Sequence, residues 1–201
     1  MSRAAFLDRD GVINRKPPDG KYITRWEEMH FLPDVAEAIS LLNRAGFLVI
    51  VVSNQRCIAK RLLTAYELDS MHQRMCDELA ASGATIDEVY HCPHETKPPC
   101  SCRKPRPGML LDAARKYNIA LNSSWMIGDS ETDMQAGRHA GCKTARLITD
   151  GTARHDADIA APCLLDAVRQ MLEREEFTSS PLTMRPKQRT DRVTNSGTCN
   201  P

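Results

Sequence analysis

The chain has 201 residues, of which 41% are apolar, and a formal net charge of +1 at pH 7. This size and composition suit one domain with a buried core, whereas the near-neutral charge gives no electrostatic case for nucleic acid or an anionic membrane as partner. The longest apolar run, 47–52, is far shorter than a bilayer span, and the charged residues 8–10 leave no signal-peptide pattern. We predict a cytoplasmic, monomeric protein with neither nucleic-acid nor membrane partners.

Segments with strand and helix patterns alternate along the chain. Apolar strand patterns cover 4–7, 47–52, 88–90, 125–127 and 144–148. Helix patterns, several with capping or terminating residues, cover 34–44, 64–82, 107–117, 131–140 and 164–175. This alternation predicts an α/β protein with an open, Rossmann-like parallel sheet and helices on both faces. Ligands bind beyond the carboxyl ends of the strands in such sheets.

The composition changes near residue 176. Residues 177–201 are rich in Ser, Thr, Pro, Arg and Asn and carry few apolar side chains. Such a segment cannot bury enough apolar surface to offset the entropy of folding. We therefore predict one domain over 1–175 and a disordered polar tail over 176–201.

Two aspartates follow the first predicted strand. Asp8 and Asp10 are two residues apart, so both side chains can face one site, and Gly11 permits a sharp turn after them. A pair of carboxylates suits covalent phosphoryl chemistry, since one can attack phosphorus and the other can move protons. On this motif alone, an Asp-rich turn or an isolated metal site explains the pattern equally well.

Three further motifs carry polar residues at predicted strand ends or in loops. Ser53 ends the second long strand, where its hydroxyl could hold a phosphate oxygen or simply end the strand. Lys104 lies in a basic loop, and beside a phosphate its ammonium would neutralise both the nucleophile and the transferred group. Asp129 and Asp133 open a helix, a position that suits either Mg²⁺ ligation or capping.

The order of these motifs, Asp-x-Asp, strand-end Ser, Lys and Gly-Asp-x-x-x-Asp, resembles the haloacid dehalogenase superfamily of phosphohydrolases over residues 6–151. The resemblance implies that Asp8 is a nucleophile forming an aspartyl-phosphate, and that Asp10 protonates the leaving alkoxide and then activates water. It also implies that Ser53 and Lys104 hold the phosphoryl group. The implied Mg²⁺ ligands are Asp8, the backbone carbonyl of Asp10, and Asp129, with Asp133 in support.

Four potential metal ligands precede Lys104, namely Cys92, His94, Cys100 and Cys102. Three thiolates and one imidazole make a closed tetrahedral Zn²⁺ site of the structural type. A reducing compartment disfavours a disulfide, and the tight spacing disfavours unrelated thiols. We predict a zinc-stapled loop over 92–102 that holds the basic residues after it over the active site, with no large cap domain.

The zinc loop, together with residues 8–14 and 102–109, looks like one branch of the superfamily, the D-glycero-D-manno-heptose 1,7-bisphosphate phosphatases. Histidinol-phosphate phosphatases are near relatives of that branch. The resemblance implies a small sugar-phosphate substrate that loses one phosphate on the route to nucleotide-activated heptose. The substrate contacts carried over from the branch are Asp19, Gly20, Lys21, Tyr22, Ser53, Asn54, Gln55, Arg56, Arg103 and Lys104.

Two departures from the branch lie in the region that selects the substrate. Arg56 and Cys57 stand where two small residues are usual, and the loop 15–21 is longer and more basic than expected. The phosphoryl-transfer motifs are intact. Two alternatives therefore stay open: the same chemistry on histidinol phosphate or another small phosphomonoester, and a non-catalytic, zinc-stabilised binding protein.

Overall fold

The computed structural model describes residues 1–148 and 156–179. The strands are β1 (Arg3–Leu7), β2 (Phe47–Asn54), β3 (Glu88–Cys92), β4 (Trp125–Gly128), β5 (Lys143–Leu147) and β6 (Ile159–Ala161). The α-helices are α1 (Val35–Arg44), α2 (Ala65–Ala81), α3 (Gly108–Tyr117), α4 (Glu131–Ala140) and α5 (Leu164–Ser179), with short 3-10 helices at Trp26–Glu28 and Leu121–Ser123. All five predicted strands and all five predicted helices are present. Strand β6 was not predicted, because three residues are too few to display a periodic pattern.

The strands form one six-stranded sheet in the order β3-β2-β1-β4-β5-β6, and every pair is parallel. After β1, the chain forms β2 and β3 on one side of β1. It then crosses over and forms β4, β5 and β6 on the other side. The direction of winding therefore reverses between β1 and β4, which is where open α/β sheets bind ligands. The predicted α/β class and parallel sheet are confirmed.

Both faces of the sheet are buried, and alternate residues of a strand serve opposite faces. In β1, Ala5 and Leu7 join a core cluster that includes residues of α1, α2 and α5. Ala4 and Phe6 join a second cluster with residues of α3 and α4. Because helices cover both faces, the central strands carry continuous apolar runs, such as 47–52 of β2, rather than alternating in polarity.

Local signals fix where the helices beside the site begin. The Thr64 hydroxyl accepts a hydrogen bond from the Glu67 backbone N–H (3.2 Å), and the Glu67 carboxylate accepts one from the Thr64 N–H (2.8 Å), a capping box at the start of α2. At α4, the Ser130 N–H donates to Asp133 Oδ2 over 3.1 Å. This hydrogen bond from Ser130 gives Asp133 a structural function at the start of α4, in addition to its place in the candidate site.

Two loops, rather than a second domain, line the carboxyl edge of the sheet. The loop after β1 and the loop after β2 meet α2 in a third apolar cluster. Its buried members are Ile23, Met29, Cys57, Leu63, Leu68 and Met71. Among the described residues there is no large cap domain, as predicted. No described helix combines the length and apolarity needed to cross a bilayer.

Helix α5 continues to Ser179, so it extends past the predicted domain end at 175. The remainder of the predicted tail, 180–201, lies outside the described residues.

A core substitution remote from the candidate site should destabilise the fold strongly. Leu42 on α1 is fully buried, whereas Leu111 on α3 is 38% exposed. We expect Leu42→Ala to lower the free energy of unfolding by about 2–5 kcal/mol, because it leaves a cavity in the main core, and Leu111→Ala to cost about 1 kcal/mol or less. Urea unfolding followed by circular dichroism measures both, and equal losses would contradict the described packing.

Candidate active site

Asp8 lies directly after β1, between the ends of two other strands. Its backbone N–H donates to the carbonyl of Ile127 at 3.0 Å, and its Oδ1 accepts hydrogen bonds from the Arg9 N–H (2.7 Å) and from Lys104 Nζ (2.8 Å). Burial raises the pKa of Asp8 to about 7, although the Lys104 ammonium acts in the opposite direction. The carboxylate form of Asp8 therefore depends on nearby positive charge.

Lys104 supplies part of that charge from a buried position. Its side chain is only 2% exposed, and Nζ contacts Asp8 Oδ1 (2.8 Å), Asp133 Oδ1 (2.7 Å) and the carbonyl oxygen of Val52 (2.7 Å). Burial lowers the pKa of Lys104, but the carboxylates of Asp133 and Asp8 outweigh that effect and raise the pKa above its ordinary value. Lys104 is therefore a permanently charged centre between two acidic groups.

Asn54 fixes the backbone that carries Lys104. The Asn54 amide nitrogen donates to the Lys104 carbonyl, and the Lys104 N–H donates to Asn54 Oδ1, both over 3.1 Å. The lysine is thus held at its backbone by the end of β2 and at its ammonium by the carbonyl of Val52 in the same strand.

Asp10 lies in the turn after β1 and is held by three neighbours. Arg9 contacts both of its carboxylate oxygens, with Nη2 at 3.0 Å from each. The Asn14 side chain donates to Oδ1 over 2.9 Å, and the Gln55 side chain donates to Oδ2 over 3.3 Å. Gln55 also donates to the hydroxyl of Ser53 over 2.7 Å, so it links the end of β2 to Asp10.

Asp129 and Asp133 lie between β4 and the start of α4. Asp133 is fully buried, whereas the Asp129 side chain is 16% exposed and its Oδ2 lies 2.7 Å from Lys16 Nζ. Gly11 has a φ of +91°, and a Cβ there would fall 2.4 Å from Asp129 Oδ2. Glycine is therefore required at position 11 both by the backbone conformation and by the close approach of Asp129.

The acidic residues of this site fit a hard divalent cation. Carboxylate oxygens of Asp8, Asp129 and Asp133 lie within 4.8 Å of one another. Asp129 Oδ1 is buried and has no hydrogen-bond partner among the described residues. A buried carboxylate oxygen without a partner lowers the stability of the fold, and oxygen atoms are the ligands that Mg²⁺ selects. The donor set therefore suits the predicted Mg²⁺ ion.

A cavity of about 290 Å³ opens above these residues. The predicted site residues that line it are Asp8, Asp10, Asp19, Gly20, Lys21, Tyr22, Ser53, Asn54, Gln55, Lys104, Asp129 and Asp133. Its volume is at the lower end of the range for small-molecule sites. Most of the residues predicted from the motifs and from the resemblance are thus brought together around one space.

Two predicted substrate contacts lie elsewhere. Arg103 borders a neighbouring cavity of about 460 Å³ that shares Asn54 and Lys104 with the first, and its Nη1 donates to the His94 carbonyl over 3.4 Å. Arg56 Nε lies 2.8 Å from Glu95 Oε2, in an ion pair with the predicted zinc loop. This ion pair shows what the unusual Arg56 contacts: a carboxylate of the loop between Cys92 and Cys100.

The four predicted zinc ligands converge in one cluster. The Sγ atoms of Cys92, Cys100 and Cys102 are 3.2–3.5 Å apart, and His94 Nδ1 lies 3.2 Å from Cys102 Sγ and 3.5 Å from Cys92 Sγ. A disulfide requires about 2.05 Å between sulfurs. Separations above 3 Å are too long for a bond between sulfurs and approach the value of about 3.8 Å for two sulfur ligands around one tetrahedral Zn²⁺, so the donor set fits zinc.

Sequence reasoning did not identify three polar residues that contact the acidic groups. Arg9 and Asn14 contact Asp10, and Lys16 contacts Asp129. All three belong to the segment after β1, but their types alone do not distinguish them from solvent-exposed loop residues. Only the folded arrangement reveals their partners.

The fold and the site together define a hydrolase of the haloacid dehalogenase type. The family described as "HAD-hyrolase-like" matches residues 101–172. A relative from Rhodopseudomonas palustris, named D-glycero-beta-D-manno-heptose-1,7-bisphosphate 7-phosphatase, is 39% identical over 69% of this chain and 79% of its own length. A relative of the same name from Vibrio cholerae is 36% identical over 84% of this chain and 93% of its own.

Solved structures agree with these relatives. The crystal structure of D,D-heptose 1,7-bisphosphate phosphatase from Bordetella bronchiseptica, complexed with magnesium and phosphate, has a TM-score of 0.77 and 30% identity, covering 86% of this chain and 99% of that one. The chain belongs to the family of the D-glycero-beta-D-manno-heptose-1,7-bisphosphate 7-phosphatases. The resemblance predicted from the motif order is confirmed.

Removing the Lys104 charge should destabilise the metal-free protein. The substitution Lys104→Met would leave Asp8 and Asp133 buried without their shared cation, so we expect the free energy of unfolding to fall by about 3–5 kcal/mol. The control Arg169→Met breaks an exposed ion pair with Glu37 and should cost less than about 1 kcal/mol. Urea unfolding in Mg²⁺-free buffer measures both; similar losses would refute the role given to Lys104.

Proposed function

We propose that this protein removes the 7-phosphate from D-glycero-β-D-manno-heptose 1,7-bisphosphate, as the names of its relatives describe for them. The observation that carries the proposal is the contact of Asp8 with Lys104 beside Asp129 and Asp133, in a cavity that also includes Asp10. Phosphoryl transfer to a carboxylate needs a nucleophile, a proton donor and positive charge within one such space.

Asp8 and Asp10 divide the chemistry between them. In the first half-reaction, an Asp8 oxygen bonds to phosphorus, the bond from phosphorus to the C7 oxygen breaks, and Asp10 donates a proton to that oxygen. In the second, Asp10 accepts a proton from water, the water oxygen bonds to phosphorus, and the aspartyl-phosphate bond breaks. Inorganic phosphate leaves, and both carboxyl groups return to their initial protonation states.

Ser53 and Lys104 are the proposed phosphoryl-binding residues. The Lys104 ammonium already lies 2.8 Å from Asp8 Oδ1, so it is placed to offset charge on the nucleophile and on the transferred group. Ser53 is almost fully buried at the end of β2, with its hydroxyl bonded to Gln55. Ser53 belongs to β2, and Lys104, although in a loop, is held by Val52 and Asn54 of the same strand, which favours a constant geometry during turnover.

Asp8, the Asp10 backbone carbonyl and Asp129 would hold Mg²⁺, with Asp133 in support. When bound, the ion would supply positive charge that reduces the repulsion between Asp8 and a phosphate dianion. Lys104 neutralises only part of the charge of these carboxylates. The unpartnered Oδ1 of Asp129 supports this assignment.

The second phosphate of the substrate needs a cation of its own. Lys21 lines the main cavity, and Arg103 borders the adjoining one. We assign these two side chains, with Asp19, Gly20 and Tyr22, to the part of the substrate away from Asp8. Arg56 would act on the substrate through Glu95 and the zinc loop, since its Nε is paired with that carboxylate.

The cluster of Cys92, His94, Cys100 and Cys102 would bind a structural Zn²⁺. Arg106 Nη1 donates to the Cys100 carbonyl over 2.8 Å, and Cys102 is two residues before Lys104. A rigid loop at this point therefore helps to place Lys104. Thiolate ligands need a reducing compartment, which supports our proposal of a cytoplasmic enzyme; we propose further that it acts as a monomer.

The activity test compares both anomers of heptose 1,7-bisphosphate with histidinol phosphate. We expect Mg²⁺-dependent phosphate release with a preference for the β-anomer, and ³¹P NMR should show loss of the 7-phosphate. Asp8→Asn should reduce turnover by at least about 1,000-fold, because it removes the nucleophile. Asp112→Asn, an exposed change on α3, is the control and should retain activity. A preference for histidinol phosphate would refute the substrate, and activity in Asp8→Asn would refute the mechanism.

Lys16 should compete with Mg²⁺ for Asp129. Its Nζ lies 2.7 Å from Asp129 Oδ2, and its side chain is 52% exposed, so the ion pair is worth about 1 kcal/mol or less. We expect Lys16→Met to tighten Mg²⁺ binding by about 2- to 5-fold in isothermal titration calorimetry. Lys21→Met removes the same charge from the same loop and should leave the affinity within about twofold. Unchanged or weaker binding in Lys16→Met would contradict this competition.

Loss of one thiolate should abolish zinc binding. We expect Cys100→Ser to lower the zinc content from about one ion per chain to a small fraction of that value and to lower the thermal midpoint by at least about 5 °C. Cys76→Ser, in α2 and outside the cluster, should keep the zinc content at the wild-type level, and any fall in the midpoint should come from packing alone. Elemental analysis and calorimetry make the comparison; full zinc content in Cys100→Ser would exclude the assigned ligand set.

A further inference from the structure

Arg9, between the two aspartates of the first motif, is completely buried although it carries a charge. Its guanidinium contacts Asp10 through Nε (3.1 Å to Oδ1) and through Nη2 (3.0 Å to each oxygen). The third nitrogen, Nη1, lies 3.2 Å from His72 Nε2. Arg9 therefore joins the proposed proton-transfer residue to a histidine of α2.

His72 can serve as the acceptor for Arg9. A guanidinium donates only, so His72 Nε2 must carry the lone pair and Nδ1 the proton. Burial, together with the positive charge of Arg9 and the neighbouring His91, lowers the pKa of His72 to about 3. The imidazole is consequently neutral near pH 7, as the contact requires.

A second interpretation of this region is a metal site. Ligand atoms of Asp69, His72 and His91 lie within 4.8 Å of one another, and His91 Nδ1 is 3.8 Å from Asp69 Oδ1. However, the Arg9 guanidinium lies 3.2 Å from His72 Nε2, and its fixed positive charge opposes a second cation there. The contacts of His72 therefore favour a role as hydrogen-bond acceptor for Arg9 over a role as metal ligand.

We propose that His72 is a positioning residue that fixes Arg9 and, through Arg9, the carboxylate of Asp10. This inference rests on the proposed phosphatase function, in which Asp10 must meet first the leaving oxygen and then the water. Without an acceptor at His72, Arg9 Nη1 would be buried and unpaired, and a shift of Arg9 to another partner would carry Asp10 with it. Small misplacements of a proton-transfer group reduce turnover steeply.

His72→Leu and His72→Gln test the proposal as a pair. Leucine removes the acceptor, whereas the Gln amide oxygen can replace Nε2. We expect His72→Leu to lower kcat by about 10-fold, with KM and Mg²⁺ affinity within twofold of wild type. A loss of this size is typical when a residue orients a reacting group through another side chain. His72→Gln should recover most of that loss. Leu79→Ala, a buried change in α2 away from Arg9, controls for lost stability and should not alter kcat.

The results separate this proposal from the proposed function. An active wild-type enzyme with equal kcat in His72→Leu would overturn the role of His72 alone, as would a loss that His72→Gln does not recover. A wild-type protein that releases phosphate from no phosphomonoester would overturn the phosphatase function itself, and with it the role of Asp10.

Nitrogen-15 NMR of the imidazoles gives a readout that does not depend on activity. We expect His72 to show the neutral tautomer protonated at Nδ1, unchanged on addition of Zn²⁺ beyond one equivalent. A proton on Nε2 would overturn the contact with Arg9, and a zinc-dependent shift of the His72 and His91 signals would overturn it in favour of the metal site.

Discussion

The ammonium of Lys104, shared between the carboxylates of Asp8 and Asp133, is the interaction on which the rest of the site depends. Three acidic side chains meet at the carboxyl edge of the sheet, and bringing like charges together in a buried place is costly unless a cation lies among them. The protein holds that cation from several directions: Val52 at the ammonium, Asn54 at the backbone, and the cysteine cluster immediately before it in the chain. A loop with no secondary structure of its own is thereby made rigid.

The same electrostatic balance accounts for the proposed chemistry. Burial favours the neutral form of Asp8, yet a nucleophile must be ionised, so positive charge near Asp8 is needed both for its ionisation and for the approach of a phosphate dianion. Lys104 supplies positive charge that is always present, and the proposed Mg²⁺ at Asp129 supplies positive charge only when the ion is bound. Lys16 reaches the same carboxylate from a half-exposed position, which makes it a competitor rather than a structural partner.

Much of this arrangement could be predicted from the sequence, because its signals are local. The apolar strands and the capping box at Thr64 follow from neighbouring residues, and the sheet and helices matched them. The convergence of Cys92, His94, Cys100 and Cys102 was predictable from spacing for the same reason. The contacts that escaped prediction join distant segments: Arg9 to His72, Lys16 to Asp129, and Arg56 to Glu95. Charged side chains of these types can be solvated or can pair with another residue, and only the tertiary packing determines which of the two occurs.

The most direct test is to trap the phosphoryl group on Asp8. Because Asp10 acts in both half-reactions, the trap uses the intact enzyme, in which the aspartyl-phosphate forms before water attacks it. The enzyme would be mixed with Mg²⁺ and heptose bisphosphate, quenched in acid at a series of times within one turnover, digested and analysed by mass spectrometry. The account predicts one phosphoryl group on the peptide that contains Asp8, and none when Asp8 is changed to Asn. Phosphate release with no modified Asp8 peptide at any quench time, or a phosphoryl group on another residue, would contradict it.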